Sequence, residues 1–260
     1  MRTTAALSCV VLATSGMAAR AQTFVQEAIY SGLMRTSVAG LPPLVTSTIL
    51  NEVQSNVAVA VRYGYLQNGA GLGNLNNFAA TAVAPLGIGN TLSAGIGLSS
   101  ESYLGEIRRT VMVSVGGDAR LMALPITRGT DGTRILLGVT GEGGYGHTSL
   151  GSTSARSWSA ELGAPISIVQ ANQSRDAWRL VPFVTPSFAF SNYGCSHCVV
   201  DVAPGSRGPN RAEGGVLFLF GGGVGVYNRA YPVAFNIGFH YVGIPNGQTL
   251  VGLGVTLGGR

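Results

Sequence analysis

The sequence has little charge and no long apolar run. Only 10% of its 260 residues are charged, against about 25% in an average globular domain. Beyond the first 21 residues, no stretch holds the roughly 20 consecutive apolar residues that a membrane-spanning helix needs. A chain this poor in charge that lacks such a helix can still cross a membrane with strands, because a strand needs an apolar residue only at every second position.

Two further absences exclude whole classes of protein. The 16 basic residues are scattered, and Arg108-Arg109 is the only adjacent pair. A nucleic-acid surface would need them clustered, so the net charge of +5 does not indicate nucleic acid as a partner. The 39 glycines follow no three-residue period, which excludes a collagen-like chain.

The first residues form a processing segment. Arg2 precedes a short apolar core, and Ala19-Arg20-Ala21 fits the small-x-small cleavage pattern, so residues 1–21 are predicted to be a signal peptide. Cleavage removes Cys9 and leaves Cys195 and Cys198 in an oxidising compartment. Residues 22–56 show no clear period and are predicted to form a periplasmic arm or an inward plug.

The clearest structural signal lies at the C-terminal end of the sequence. Residues 232–258 contain two runs with period 2 around the turn Pro245-Asn246-Gly247, which predicts a β-hairpin. One face is continuously bulky and apolar, and the other is small or polar: Val233, Phe235, Ile237, Phe239, Tyr241, Val251, Leu253, Val255 and Leu257 lie on the first, and Ala234, Asn236, Gly238, His240, Gly252, Gly254 and Thr256 on the second. This alternation is typical of a strand with lipid outside and a narrow wet lumen inside.

The same period recurs upstream. It predicts strands at residues 57–65, 78–86, 92–99, 110–121, 135–145, 158–168, 178–190 and 216–227, although the pattern does not assign the two faces of 216–227. With the hairpin, the prediction is an all-β fold at 57–260, a closed antiparallel transmembrane β-barrel of about 10 strands (8–12 possible). Pro85, Pro165, Pro182 and Pro186 argue against this, because proline is unusual inside central strands. Bulges or bends near a rim would accommodate them.

The connections between these strands fall into two groups. If the chain enters from the periplasm, the links at 67–75, 101–107, 148–156, 193–212 and 245–247 are extracellular. The links at 87–90, 125–133, 171–176 and 228–231 are then periplasmic, and most of these are short, as in bacterial barrels. Tyr63, Tyr65, Tyr145, Trp158 and Phe190 then lie toward the outer rim and Trp178 toward the inner rim, which suits aromatic girdles.

With its leader, alternating strands and amphipathic last strand, the chain resembles the small bacterial outer-membrane β-barrel proteins of the OmpA-type or porin-like superfamily, over about residues 57–260. The resemblance implies a location in the bacterial outer membrane, with outer-membrane lipid, the outer-membrane assembly machinery and small solutes as partners. It also implies a structural or weakly porin-like role without catalysis. The chain departs from the pattern at Leu257-Gly258-Gly259-Arg260, where these proteins usually end the last strand on an aromatic residue that the machinery reads.

The alternation predicts which ionisable residues face the lumen. They are Arg62, Asp118, Arg120, Glu142, Glu161, Arg179 and His240. Two interpretations stay open. The charges form a static paired network that fills a narrow barrel, since buried charges need partners, or they form a constriction that selects solutes.

The segment Cys195-Ser196-His197-Cys198 lies in the longest predicted loop. A haem-attachment motif would need a histidine where Val199 stands, and a zinc site would need a second ligand pair. A short-range disulfide between Cys195 and Cys198 is therefore expected, and no cofactor or metal is predicted.

One segment suggests enzymatic chemistry. His147-Thr148-Ser149, with Glu161 downstream, resembles the arrangement of the outer-membrane lipid A deacylases, in which a histidine could activate a serine and a carboxylate orient the histidine. The alternative function is therefore an outer-leaflet lipid hydrolase that uses His147 and Ser149. Against it, the alternation directs Glu161 into the lumen, and hydroxyl-rich loops contain such a triplet by chance.

Overall fold

The structure is a computed structural model. It describes most of the chain from Val57 onward: residues 57–66, 74–87, 89–103, 106–126, 132–150, 153–170, 177–196, 213–228, 230–231, 233–242 and 248–259. The predictions for the signal peptide, for residues 22–56, for Cys198 and for most of the 193–212 loop fall outside these residues.

The described residues form antiparallel strands in chain order: β1 (Val57–Leu66), β2 (Leu75–Gly87), β3 (Asn90–Tyr103), β4 (Glu106–Pro125), β5 (Thr133–Leu150), β6 (Thr153–Gly163), β7 (Ile166–Gln170), β8 (Trp178–Ser196), β9 (Glu213–Asn228), β10 (Val233–Val242) and β11 (Gln248–Gly259). No helix in the described part of the chain is long and apolar enough to cross a membrane.

The strands close into a ring. Apart from β6 and β7, which do not pair with each other, each strand pairs with its neighbours in the chain. The first strand pairs with the last, from Val57 opposite Gly259 to Leu66 opposite Leu250. Strands β6 and β7 both lie between β5 and β8 and together occupy one position. The fold is therefore a closed antiparallel barrel of ten strand positions, and the prediction of an all-β barrel of about ten strands is confirmed.

The register of the ladders sets the size of the barrel. Arg62 can be traced around the ring from partner to partner in two directions. Through β2, β3, β4, β5 and β6 the trace reaches Tyr193 on β8. Through β11, β10 and β9 it reaches Val181 on the same strand. The two end points are 12 residues apart (193 − 181), which is the stagger of the closed ring. With usual strand dimensions, this stagger gives a strand tilt of about 40° and a backbone radius of about 10 Å.

Two ends of the barrel are used below. The terminal end is where β1 begins at Val57 and β11 ends at Gly259, and the distal end is where β5 and β8 end at Leu150 and Ser196. The strand ends that flank the predicted connections 67–75, 101–107, 148–156, 193–212 and 245–247 lie at the distal end, and those that flank the other four lie at the terminal end. Which end faces the cell exterior stays a prediction.

Side chains alternate between the two sides of the barrel wall, except at the bulges near the ends of β2 and β4. On β10, Phe235, Ile237 and Phe239 are exposed, while Ala234, Asn236 and His240 are buried, as the sequence pattern predicts. The structure also resolves β9, whose faces the sequence did not assign. Its outward side carries Val216, Phe218 and Phe220, and its inward side carries Leu217, Leu219, Gly221, Gly223, Gly225 and Tyr227.

The prolines concentrate along one seam of the barrel. Pro165 lies at the break between β6 and β7, and Pro182 and Pro186 lie on β8, the strand that faces this break. The Ala164 amide donates to the Pro186 carbonyl (2.9 Å), so Pro186, and Pro182 at the same parity, direct their backbone groups toward β6 and β7. The β8–β9 ladder on the other side is continuous from Trp178 to Tyr193, because no proline nitrogen points toward it.

Several strands extend farther at the distal end than the sequence predicted. The 148–156 connection was expected to be a loop, but β5 continues to Leu150 and β6 begins at Thr153. In the same way, β3 continues to Tyr103 and β4 begins at Glu106, within the predicted 101–107 loop. These stretches are rich in serine, threonine and charged residues, so the period-2 signal of apolar residues disappears there while backbone pairing continues.

Candidate functional site: the charged lumen

Arg62 is the central charged residue of the lumen. It lies near the middle of β1, and because Val61 and Tyr63 point outward, its side chain points inward and is only 5% exposed. Its register neighbours on the inner face are Ala79 on β2 and Gly254 on β11. These small neighbours leave the long side chain room to reach into the barrel.

The charges that attract Arg62 are the carboxylates of Glu142 and Asp118. Asp118 is on β4 and Glu142 on β5, three and four positions from β1 in a ring of ten, so they lie on the wall nearly opposite. The attraction therefore acts across the lumen. A single strand pattern could predict that each side chain faces inward, but not that these three face one another.

Glu161 adds a third carboxylate to the opposite wall. It is the cross-strand partner of Glu142 in the β5–β6 ladder, and both side chains face inward. Like charges at directly opposed positions repel. The Ser187 hydroxyl donates to Glu161 Oε1 at 2.7 Å, and Arg62 attracts Glu142; both interactions offset the repulsion.

The other three predicted lumen residues, Arg120, Arg179 and His240, also face inward, but they lie at other heights along the barrel than Arg62 and the carboxylates. Arg120 is half-buried on β4, and its backbone amide donates to Gly89 O (2.7 Å) at the terminal end. Arg179 is 1% exposed near the start of β8, and its Nη1 donates to the Gln170 carbonyl (3.2 Å). His240 is 3% exposed on β10 and packs over Gly221, where an added Cβ would lie 2.7 Å from His240 Cδ2.

The lumen wall between these charges is lined with small hydroxyl side chains. Several buried side-chain oxygens have no hydrogen-bond partner among the described residues: Thr81 Oγ1, Ser157 Oγ, Ser167 Oγ, Thr185 Oγ1 and Thr256 Oγ1. Buried polar groups are nearly always satisfied by protein or by ordered water. Hydroxyls on the inside of a barrel wall with no protein partner favour a hydrated lumen.

Toward the terminal end the inner wall becomes apolar. Leu136, Val169, Val181, Phe183, Tyr227 and Ala234 form a buried cluster there. These residues come from β5, β7, β8, β9 and β10, so the cluster covers about half of the ring. It narrows the lumen on this side and was not recognised in the sequence, where the inward residues of β7 and β9 carry no distinctive pattern.

The outer wall is an apolar belt with aromatic rings toward both ends. Tyr63 packs on Phe78 and Trp158 on Phe190, with ring centroids 4.8 Å and 4.9 Å apart. Trp178 lies at the terminal end and packs on Phe235. From Leu180 to Phe190 the outward side chains of β8 are apolar apart from two prolines, and ten residues of a strand tilted by about 40° rise about 25 Å, the height of an outer-membrane apolar belt.

The structure does not bring the three hydrolase candidates together. His147 is exposed on the outer face of β5, whereas Glu161 points into the lumen and accepts the hydrogen bond from Ser187. Ser149 lies in the same strand, two residues beyond His147. The backbone wall therefore separates the imidazole from the carboxylate that would orient it.

Metal and disulfide chemistry has little support in the described part of the chain. There, no three His, Cys, Asp or Glu side chains form a group that could hold a metal ion. Cys195 lies in β8 rather than in a loop, and because Cys198 is outside the described residues, its disulfide with Cys195 stays a prediction.

No protein-family model matches the sequence, and no curated protein matches it. Solved structures with a similar fold include the translocator domain of the autotransporter NalP from Neisseria meningitidis (12% identity, TM-score 0.37, 94% of this chain and 97% of that one). Another is LpxR from Salmonella typhimurium (8% identity, TM-score 0.39, 78% of this chain and 100% of that one). A third is the N-terminal β-barrel domain of Pseudomonas aeruginosa OprF (10% identity, TM-score 0.32, 78% of this chain and 97% of that one). Sequence identity and TM-score are low for all three, so the assignment of this chain to a membrane depends on the barrel itself.

Two properties of the barrel define where the chain resides. Its ladders close with no free edge, and its outer face exposes large apolar side chains around the whole ring. Water does not support so large an exposed apolar surface, whereas a closed ladder is what a sheet requires in lipid. The chain is a small β-barrel protein of the bacterial outer membrane.

Proposed function

We propose that this outer-membrane barrel is a narrow, weakly conducting pore with no catalytic activity. The proposal depends on one observation: Arg62 on one wall faces Asp118, Glu142 and Glu161 on the other. Here opposite charges lie on opposite walls, and a solute in the lumen passes between them.

The lining supports a small polar solute. Around Arg62 the inner face carries glycine, alanine, serine and threonine, with Gly97 and Asn236 next in register beyond its direct neighbours. A backbone radius of about 10 Å leaves a narrow lumen once side chains are added. Large solutes are excluded by size, and the apolar cluster near the terminal end limits the flow of ions.

Planar-bilayer recording tests this proposal. The native protein is expected to give small, steady conductance steps. Arg62→Gln removes the cation that faces three carboxylates, so the reversal potential in a salt gradient should shift toward cation selectivity. Arg156→Gln, which changes an exposed arginine on the outer face of β6, is the matched control and should leave selectivity unchanged. Folded, inserted protein that never conducts would overturn the pore and leave a structural role.

The absence of catalysis has its own test. Its support is the placement of His147 outside the barrel and Glu161 inside. Purified native protein and Ser149→Ala are each incubated with lipid A, and released acyl chains are measured by mass spectrometry. We expect no release from either protein. Release by the native protein that Ser149→Ala abolishes would establish the lipid hydrolase instead.

The proposed partners follow from the surroundings of the barrel. Outer-membrane lipid covers the belt, small solutes enter the lumen, and the outer-membrane assembly machinery inserts the chain.

A further inference from the structure

Three basic side chains meet on the outer surface near the distal end. They are Arg109 on β4, His147 on β5 and Arg156 on β6, and all three are exposed. His147 and Arg156 are direct cross-strand partners, and Arg109 is diagonal to His147, because Val111 is opposite His147. Such neighbours have Cβ atoms about 5 Å and about 7–8 Å apart. The three residues are called the basic cluster below.

The basic cluster lies at the distal edge of the apolar belt on all three strands. Moving toward the distal end, Arg109 follows Val111, His147 follows Tyr145, and Arg156 follows Trp158 as the next outward residue. Beyond the cluster, Ile107 is the one large apolar side chain described on the outer face of these strands. Tyrosine and tryptophan side chains mark the edge of the hydrocarbon region, so the basic cluster is at the level of lipid headgroups.

Charge on the described side chains is sorted by face. The carboxylates whose side chains the structure describes, Asp118, Glu142 and Glu161, all point into the lumen, while the described outward arginines are Arg109 and Arg156. No described carboxylate is therefore available on the outer face to neutralise the basic cluster. The chain contains no lysine, so all 16 residues of the Lys and Arg type are arginine, the side chain whose planar guanidinium binds phosphate through two parallel hydrogen bonds.

We propose that the basic cluster is a binding site for a membrane lipid with a phosphomonoester headgroup. Arg109 and Arg156 donate hydrogen bonds to the phosphate oxygens, His147 lies between them, and the acyl chains lie along Val111, Tyr145 and Trp158. This inference depends on the membrane location but not on conduction, because the cluster is outside the lumen. It also assigns the exposed His147 a role in lipid binding, which does not require Ser149 as a nucleophile.

The two tryptophans make the site measurable. Trp158 is the next outward residue after Arg156 toward the terminal end, and Trp178 is at the opposite end of the barrel from the basic cluster. Trp178→Phe leaves Trp158 as the only tryptophan, and Trp158→Phe leaves Trp178. Each protein is reconstituted in dioleoylphosphatidylcholine bilayers that contain phosphatidic acid or phosphatidylcholine with brominated chains, which quench fluorescence on contact.

At Trp158, phosphatidic acid is expected to bind at least fivefold more tightly than phosphatidylcholine, since one arginine near an anionic surface contributes about fivefold. At Trp178 the ratio should be close to one. In the Trp178→Phe background, the double variant Arg109→Gln/Arg156→Gln should bring the Trp158 ratio close to one, and Arg134→Gln should leave it unchanged. Heat-modified migration in gels verifies that every variant is folded.

Three results would overturn the site. Equal preference at both tryptophans would show a general attraction of anionic lipid to a basic protein. A preference that survives the double variant would place the binding elsewhere. No preference at either tryptophan would leave the cluster for another occupant, such as an acidic protein segment. Ion selectivity of the double variant should equal that of the native protein, so failure of this site is distinguishable from failure of the pore.

Discussion

At the scale of single residues, the lumen depends on charges that lie on different strands. Arg62 is the positively charged side chain that faces Asp118 and Glu142. Glu142 in turn is the ladder partner of Glu161. Removing one member of a buried charge group leaves the others uncompensated, which is more damaging than removing a balanced pair.

Arg62→Gln should therefore destabilise the folded barrel by at least about 2 kcal/mol. Adding Glu142→Gln to it should recover part of that loss, because the second change removes one of the carboxylates left uncompensated and ends its repulsion with Glu161. Urea unfolding in lipid vesicles of both single variants and the double variant measures the coupling. Strictly additive effects would contradict the attraction across the lumen.

Close packing at Gly223 gives a second prediction at this scale. A Cβ added there would meet the Ile237 carbonyl oxygen and lie 2.7 Å from Gly238 Cα and 2.8 Å from Phe183 Cζ. Backbone atoms of β10 cannot move aside without disturbing the ladder, so Gly223→Ala should cost about 1–3 kcal/mol of unfolding free energy.

Gly143→Ala is the matched control for Gly223→Ala. Its added Cβ would come no closer than 3.8 Å to the Ser159 carbonyl oxygen, so the same chemical change should be nearly neutral. Urea midpoints in the same vesicles compare the two variants. Equal losses in the two variants would contradict the close contact at Gly223.

At the scale of strands, the period-2 pattern predicted every strand position and nearly every face. It failed on β9 because both of its sides carry large apolar residues, such as Leu217 inward and Phe218 outward, so alternation carries no contrast. It also missed the break between β6 and β7, because the outward and inward residues keep the same parity across Ala164-Pro165. The alignment of Arg62 with Glu142 depends on register across four ladders, which no local pattern encodes.

The interrupted position between β5 and β8 explains how the barrel holds its prolines. The β7–β8 ladder contains only Ile166 opposite Val184 and Ser167 opposite Phe183. The next pair would place Ile168 opposite Pro182, whose nitrogen has no hydrogen to donate. Three of the four prolines that argued against a barrel in the sequence therefore share one seam, and the fourth, Pro85, lies at the bulge near the end of β2.

Pro182→Val should extend this short ladder. The new amide at position 182 can donate toward β7, and one added backbone hydrogen bond of about 1 kcal/mol should slow local exchange about fivefold. Hydrogen exchange of the peptide that spans residues 166–170 measures the effect. Pro85→Val, at the bulge near the end of β2, has the same effect on the unfolded chain and should leave that peptide unchanged. Faster exchange after Pro182→Val would mean that the seam is held open by packing.

At the scale of the whole molecule, lipid contact governs which surface positions tolerate charge. Ile96 and Ile107 are both exposed, at 66% and 65%, and both face outward. Ile96 is near the middle of β3, and Ile107 is near the distal end of β4. In water the two positions would be equivalent, whereas in a bilayer only Ile96 lies deep in hydrocarbon.

Ile96→Arg should therefore destabilise the barrel in lipid vesicles by about 2–4 kcal/mol, while Ile107→Arg should cost about 0–1 kcal/mol. Urea titration in vesicles, followed by tryptophan fluorescence, compares them with the native protein. If both substitutions had the same small effect, the belt would not be in contact with lipid, and the membrane assignment would be wrong.

The meeting of the first strand with the last has a consequence for how such a molecule can change size. Antiparallel neighbours must alternate in direction all the way around, and β1 can pair with β11 only if the number of positions is even. A single inserted or deleted strand would set two parallel neighbours side by side at the join. If every pair is to stay antiparallel, the barrel must therefore widen or shrink by whole hairpins, two strands at a time.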